Sequence, residues 1–227
     1  MNILITGASR GLGYFLTKKY LEDGNVVYAG VRNIEGDKVR ELKEKFPETV
    51  HLLPLDVAET KSVEDAAKRV KCKLDILINN AAIHSETSFL PLEETDIDEC
   101  LFVYNVNALG SLRTVKAFSN HLKEGGEIIN ITSESGSIAT AGRTKEFDYC
   151  MSKAAMNMGA KLLQNYLKDR NIKVLSVHPG WMRTDMGGAN ARLDPEENAG
   201  NLIRLFQKMN HLDGAEFIDY MGEVIPW

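Results

Sequence analysis

Cysteine, long apolar runs and surplus positive charge are what this chain has little of, and each shortage removes a class of answer. The three cysteines, Cys72, Cys100 and Cys150, are an odd number without a Cys-x-x-Cys pair, so the expectation is reduced thiols in a cytoplasmic protein and not a disulfide framework. No stretch approaches the run of about 20 apolar residues that spans a bilayer, and the N-terminal apolar run Ile3 to Ile5 is too short for a signal segment. No membrane partner is expected. With 27 basic against 32 acidic residues the formal net charge is −5, which argues against a nucleic-acid surface. The basic residues interleave with acids, as between Lys38 and Lys45, where Glu41 and Glu44 alternate with lysines and an arginine, the pattern of a solvated helix face. The histidines, His51, His84, His121, His178 and His211, show no metal-ligand spacing, and no catalytic metal is expected.

What is present is a regular alternation. A chain of 227 residues fits one α/β domain over residues 1–227 and can bury roughly 70 to 75% of its unfolded surface. Apolar runs predict strands at Ile3 to Thr6, Val26 to Val31, Val50 to Pro54, Leu74 to Ile78, Ile128 to Ile131, Val174 to Val177 and Phe217 to Ile218. Between them lie helical patterns at Gly11 to Glu22, Asp37 to Phe46, Ser62 to Val70 with Thr60 or Ser62 as cap, Asp96 to Leu122, Phe147 to Asp169 and Pro195 to Met209. Such βα alternation implies a single doubly wound Rossmann domain, with a central parallel sheet of about seven strands, helices on both faces and a ligand crevice at the carboxyl ends of the strands. Gly7, Arg32, Asp56, Asn79, Ser133 and Pro179 all fall at or just past predicted strand ends.

Two features give that crevice a chemistry. Gly7-Ala8-Ser9-Arg10-Gly11-Leu12-Gly13 follows the first strand and opens the first helix. A glycine turn of this kind leaves backbone N–H groups and a positive helix end facing outward, a site for a pyrophosphate, although Gly-xxx-Gly-x-Gly is not the usual G-x-G-x-x-G. Tyr149 and Lys153 are four apart in a helix-forming stretch, which places a phenol and an ammonium on one helical face. The second strand ends Ala29-Gly30-Val31-Arg32-Asn33, with no acid to bond a ribose 2′-hydroxyl. Arg10 and Arg32 suit a 2′-phosphate instead, so the expected cofactor is NADPH.

These residues, with Thr6, Asp56-Val57, Asn79-Asn80-Ala81-Ala82, Asn107 with Gly110, Ser133 within Asn130-Ile131-Thr132-Ser133, and Pro179-Gly180, make the chain resemble the short-chain dehydrogenase/reductase family along essentially its whole length. Ala82 departs from the family's usual glycine. His178 to Gly188 and the ending Ile225-Pro226-Trp227 narrow the resemblance to the sniffer and C-factor group of small carbonyl reductases. The resemblance implies a hydride-transferring reductase of aldehydes, ketones or quinones. It implies Tyr149 as general acid, Lys153 as ribose ligand that also lowers the tyrosine pKa, Ser133 as stabiliser of the substrate oxyanion, and Asn107 as support of a proton relay. Thr132 and Ser135 are neighbouring hydroxyls. It further implies cofactor contacts from Gly7, Ser9, Arg10, Gly11, Leu12, Gly13 and Arg32, from Asp56 and Val57 at the adenine, from Asn79 to Ala81 at its ribose, and from Pro179, Gly180, Met182 and Thr184 at the carboxamide.

Ile83, His84, Phe89, Phe147, Trp181, Met182 and Met186 suggest an apolar, partly aromatic pocket for a small carbonyl compound, with Met186 to Glu196 as a candidate lid. Apolar surface around Leu101 to Phe118 and Met151 to Leu167 is of the sort family members use in homodimers or homotetramers. An alternative of another class is an NADPH-binding signalling or developmental protein of C-factor type with little turnover.

Overall fold

The computed structural model describes residues 1–209 and 216–227; His211 lies outside the described residues. Seven strands form one fully parallel sheet: β1 (Asn2–Thr6), β2 (Val26–Val31), β3 (Val50–Pro54), β4 (Leu74–Asn79), β5 (Leu122–Ile131), β6 (Lys173–His178) and β7 (Glu216–Asp219). Their order is β3-β2-β1-β4-β5-β6-β7, so the chain reverses direction across the sheet between β1 and β4. That switch point opens a crevice at the carboxyl edge.

The strand sequences explain why the sheet is covered on both sides. Along β1, Ile3 and Ile5 join one buried cluster and Leu4 the other, because successive side chains point to opposite faces. One face packs against α1 (Gly11–Glu22), α2 (Asp37–Lys45) and α7 (Pro195–Met209), through residues such as Leu16, Leu42 and Leu202. The other packs against α3 (Thr60–Arg69), α5 (Gly110–Phe118) and α6 (Phe147–Leu167), through Val63, Val115 and Ala160. Both faces being apolar, the strands read as near-continuous hydrophobic runs, which is why their positions are visible in the sequence.

Three local expectations need correction. The stretch predicted as one helix from Asp96 to Leu122 is α4 (Ile97–Tyr104), a π turn at Asn105–Leu109 and α5, and Leu122 already belongs to β5. A π turn inserts one residue into the helical ladder and leaves no mark in hydrophobic periodicity. The strand β5 also starts six residues earlier than its apolar core Ile128 to Ile131, because its first part pairs with β4 only at Leu74 before the register shifts. Finally, neither Thr60 nor Ser62 caps α3. Glu59 occupies the cap position without a side-chain bond, and the Ser62 hydroxyl instead accepts from the Asp56 N–H at 2.9 Å.

Candidate active site

The crevice is floored by the turn after β1. Gly7 has φ +68°, and a Cβ there would approach the Ala81 Cα to 2.9 Å; at Gly13 a Cβ would sit 2.3 Å from the Gly7 carbonyl oxygen. Only glycine lets the turn lie this close to both the β4 end and its own helix. The Asn80 amide seals the arrangement by donating to the carbonyls of Thr6 at 2.9 Å and Gly7 at 3.2 Å. The Thr6 hydroxyl accepts from the Asn80 and Ala81 N–H groups.

Of the predicted cofactor residues, Gly7, Ser9, Arg10, Gly11, Leu12, Arg32, Asp56, Val57, Ala81, Lys153, Pro179, Met182 and Thr184 line one cleft. Gly13 and Gly180 stand behind its wall. Asn79 does not reach it: its side chain is buried in the sheet and donates to Asn130 Oδ1 at 2.9 Å. Its parity along β4 turns it under the sheet, and Asn80, one residue later, takes the place at the crevice. Sequence reasoning passed over Gly30, Leu55, Ala82, Phe102, Val106, Ile131 and Asp185, which also line the cleft. Of these only Asp185 carries charge, and its signal would have been its place directly after Thr184.

Tyr149 and Lys153 both face the cleft from the first turns of α6. The lysine is almost fully buried. Its ammonium donates to the Ile131 carbonyl at 2.8 Å and lies 5.5 Å from the centre of the Tyr149 ring. Ser133 is hydrogen-bonded with the Tyr149 phenol; the serine hydroxyl also donates to Ser135 Oγ at 3.0 Å and accepts from the Ser135 N–H. Thr132 lines the cleft too, and its buried hydroxyl has no protein partner.

Asn107 is buried beside this group, inside the π turn, and does not line the cleft itself. Its amide grips the end of the β4 segment from both sides, accepting from the Ile83 N–H at 2.8 Å and donating to the Ile83 carbonyl at 2.8 Å. A further bond runs to Ser152 Oγ on α6. Thus one side chain ties the wall after β4 to the helix carrying Tyr149 and Lys153.

The expectation that Lys153 lowers the Tyr149 pKa is not met. Burial pushes the phenol up to about 12, opposed by the Ser133 bond, and burial pushes the lysine down to about 7. Desolvation disfavours the charged form of each group and is the leading cause of both shifts. The phenol is therefore a proton donor throughout the neutral range.

The residues predicted for a substrate pocket divide. Ile83 and Met186 line the cleft, whereas His84, Phe147 and Trp181 do not. The His84 ring packs edge-on against Phe89 and is bonded to the Ser85 carbonyl; the Trp181 indole donates outward to Gly187. A residue missed altogether is Asp148, whose buried carboxylate accepts from the Ser85 N–H and the Ser88 hydroxyl, both at 2.7 Å. These bonds hold its pKa below the usual carboxylate range against the cost of burial, and they pin the loop after β4 to the start of α6.

Comparison with known proteins agrees with this geometry. The family model described as short chain dehydrogenase matches residues 1–194. The C-signal protein of Myxococcus xanthus is 32% identical over 156 residues, covering 68% of this chain and 93% of its own. Among solved structures, the carbonyl reductase Sniffer of D. melanogaster superposes with a TM-score of 0.94 at 27% identity, over 100% of this chain and 99% of its own. An NADPH-bound carbonyl reductase from chicken fatty liver does so with a TM-score of 0.89 at 29% identity, over 100% and 98%. The chain belongs to the short-chain dehydrogenase family. Within it, the similarity to Sniffer and to C-signal agrees with the narrower resemblance in the sequence. No helix among the described residues is long and apolar enough to cross a membrane.

Proposed function

We propose that the protein is an NADPH-dependent oxidoreductase that reduces the carbonyl group of a small apolar aldehyde, ketone or quinone to the alcohol. The observation that carries the reading is the meeting of Tyr149 and Lys153 at the cleft, with Ser133 bonded to the Tyr149 phenol from outside its lining, while the same cleft holds the glycine turn, Arg10 and Arg32. The donor set suits a phosphorylated dinucleotide: N–H groups at a helix start for the pyrophosphate, and guanidinium groups with no acid at the end of β2 for the 2′-phosphate. A bound nicotinamide supplies the hydride for the carbonyl carbon.

The chain's own residues manage the proton. Tyr149, neutral at physiological pH, donates its phenolic proton to the carbonyl oxygen as negative charge grows there. Ser133 hydrogen-bonds the same oxygen and favours the developing charge. Lys153, anchored on the Ile131 carbonyl, would bind the ribose hydroxyls of a bound dinucleotide, and Asn107 holds the π turn whose backbone would support the relay that returns a proton to Tyr149. Ile83, Val106, Met182 and Met186 supply apolar wall, which favours an uncharged substrate. Exposed apolar residues of α4, α5 and α6, among them Leu101, Leu112, Met158 and Leu162, support a homo-oligomer. Three free thiols suit the cytoplasm.

The test is NADPH oxidation, with NADH in parallel, against a panel of quinones, aromatic aldehydes and diketones, with Tyr149→Phe as control. Turnover with NADPH that vanishes in the variant is expected. The likeness to C-signal favours one alternative, an NADPH-gated signalling protein with little turnover. Tight NADPH binding without turnover across the panel would replace the reductase reading with that one.

A further inference from the structure

The positive charge expected to select the cofactor is not free. Arg10, the extended residue just before α1, reaches across the mouth of the cleft and pairs with Asp185 at 2.9 Å. Both side chains line the cleft, and they come from opposite sides of it, the turn after β1 and the segment after β6. Arg32, by contrast, has no ion pair among the described residues and is exposed.

Asp185 is not on a loose tail. Thr184 builds a tight turn around it: the Thr184 N–H donates to the Met182 carbonyl at 2.9 Å, its hydroxyl accepts from the Gly187 N–H at 3.1 Å, and its carbonyl accepts from the Gly188 N–H at 2.8 Å. The carboxylate is thus held out beside the glycine turn, where one of its oxygens accepts a guanidinium N–H that a phosphate oxygen would otherwise accept.

We propose that Asp185 is a specificity-determining residue, an internal competitor that occupies the Arg10 guanidinium and so sets how strongly the protein prefers a 2′-phosphorylated dinucleotide over an unphosphorylated one. The inference rests on the dinucleotide reading above. An anion that arrives at Arg10 must displace a carboxylate already bonded there, whereas a ligand without the 2′-phosphate leaves the pair undisturbed. The net worth of an exposed ion pair is small, so Asp185 trims the preference without abolishing it, and its effect declines as salt screens the pair.

The experiment is calorimetric titration of the whole protein with NADPH and with NADH, at low and at high salt, for wild type, Asp185→Asn, Arg10→Gln and the double variant. Both side chains are more than half exposed, and thermal melting of each variant confirms folding. Asp185→Asn is expected to tighten NADPH binding about two- to fivefold, to leave NADH unchanged, and to lose its effect in the Arg10→Gln background and in high salt. An unmoved NADPH affinity, an equal gain for NADH, or a gain that survives in the Arg10→Gln background overturns the inference while the dinucleotide reading stands. A wild-type chain that binds neither dinucleotide overturns both.

Discussion

The two sides of the crevice are made of different material. Around β1 and β2 lies a glycine turn shaped by close approach to Ala81 and Gly7, with Arg32 exposed and Arg10 exposed but paired with Asp185. Around β5 and α6 Tyr149 and Lys153 face the crevice, and Asn107, Ser133 and Lys153 behind and beside them are all buried and committed to named partners. Under the proposed function, the difference follows from the tasks. N–H groups and solvated guanidinium groups hold phosphates without changing protonation, whereas moving a proton requires groups whose charge states have been set by removing them from water.

That contrast can be broken most sharply at Tyr149. Tyr149→Phe is expected to lower turnover by about 10²–10⁴-fold while NADPH affinity, measured by titration, stays near wild type; a parallel loss of binding would mean the two sides are not separable. Lys153 tests the same side through stability. Its folded pKa of about 7 lies below its ordinary 10.5, so between those values the unfolded chain holds a proton that the folded chain has released. Stability therefore rises with pH across this window, by an amount on the order of several kcal/mol, and is lost as pH falls toward the folded value. Urea unfolding of the protein without added dinucleotide, at the two ends of the window, should show a rise in wild type that is larger than in Lys153→Met by the lysine's share.

On the other side, Gly13→Ala forces a methyl group against the Gly7 carbonyl and is expected to cost about 1–3 kcal/mol. It should lower the melting temperature and weaken NADPH and NADH alike. The smallest and most selective effect belongs to Arg32→Gln. Losing one charge-assisted contact at an exposed site should weaken NADPH about tenfold with NADH unchanged, and equal losses for both would remove Arg32 from cofactor selection.

Much of this was legible before any coordinates. The seven apolar runs appear as the seven strands because most are buried on both faces, the edge strand β3 with its exposed His51 excepted. The residues placed at strand ends reach one edge because parallel strands all present their carboxyl ends there. Legibility failed where a residue's neighbour in space decides its role. Asn79 and Asn80 are indistinguishable in composition, yet pleating sends the first to Asn130 beneath the sheet and the second to the glycine turn. The break in the Asp96 to Leu122 helix depends on Asn107 finding Ile83 and Ser152, which are 24 and 45 residues away. Asp148 takes its role only from Ser85 and Ser88, 63 and 60 residues away in the chain.

By itself, then, the sequence determined the parallel sheet, the glycine turn at the start of the first helix and the phenol and amine on one helical face, since these follow from local periodicity, glycine backbone freedom and helix geometry. Only the tertiary structure decided the burial that shifts Tyr149 and Lys153, the pairing of Arg10 with Asp185 and the clamps made by Asn107 and Asp148. Desolvation and long-range hydrogen bonds arise between segments distant in the chain, and no local pattern encodes them.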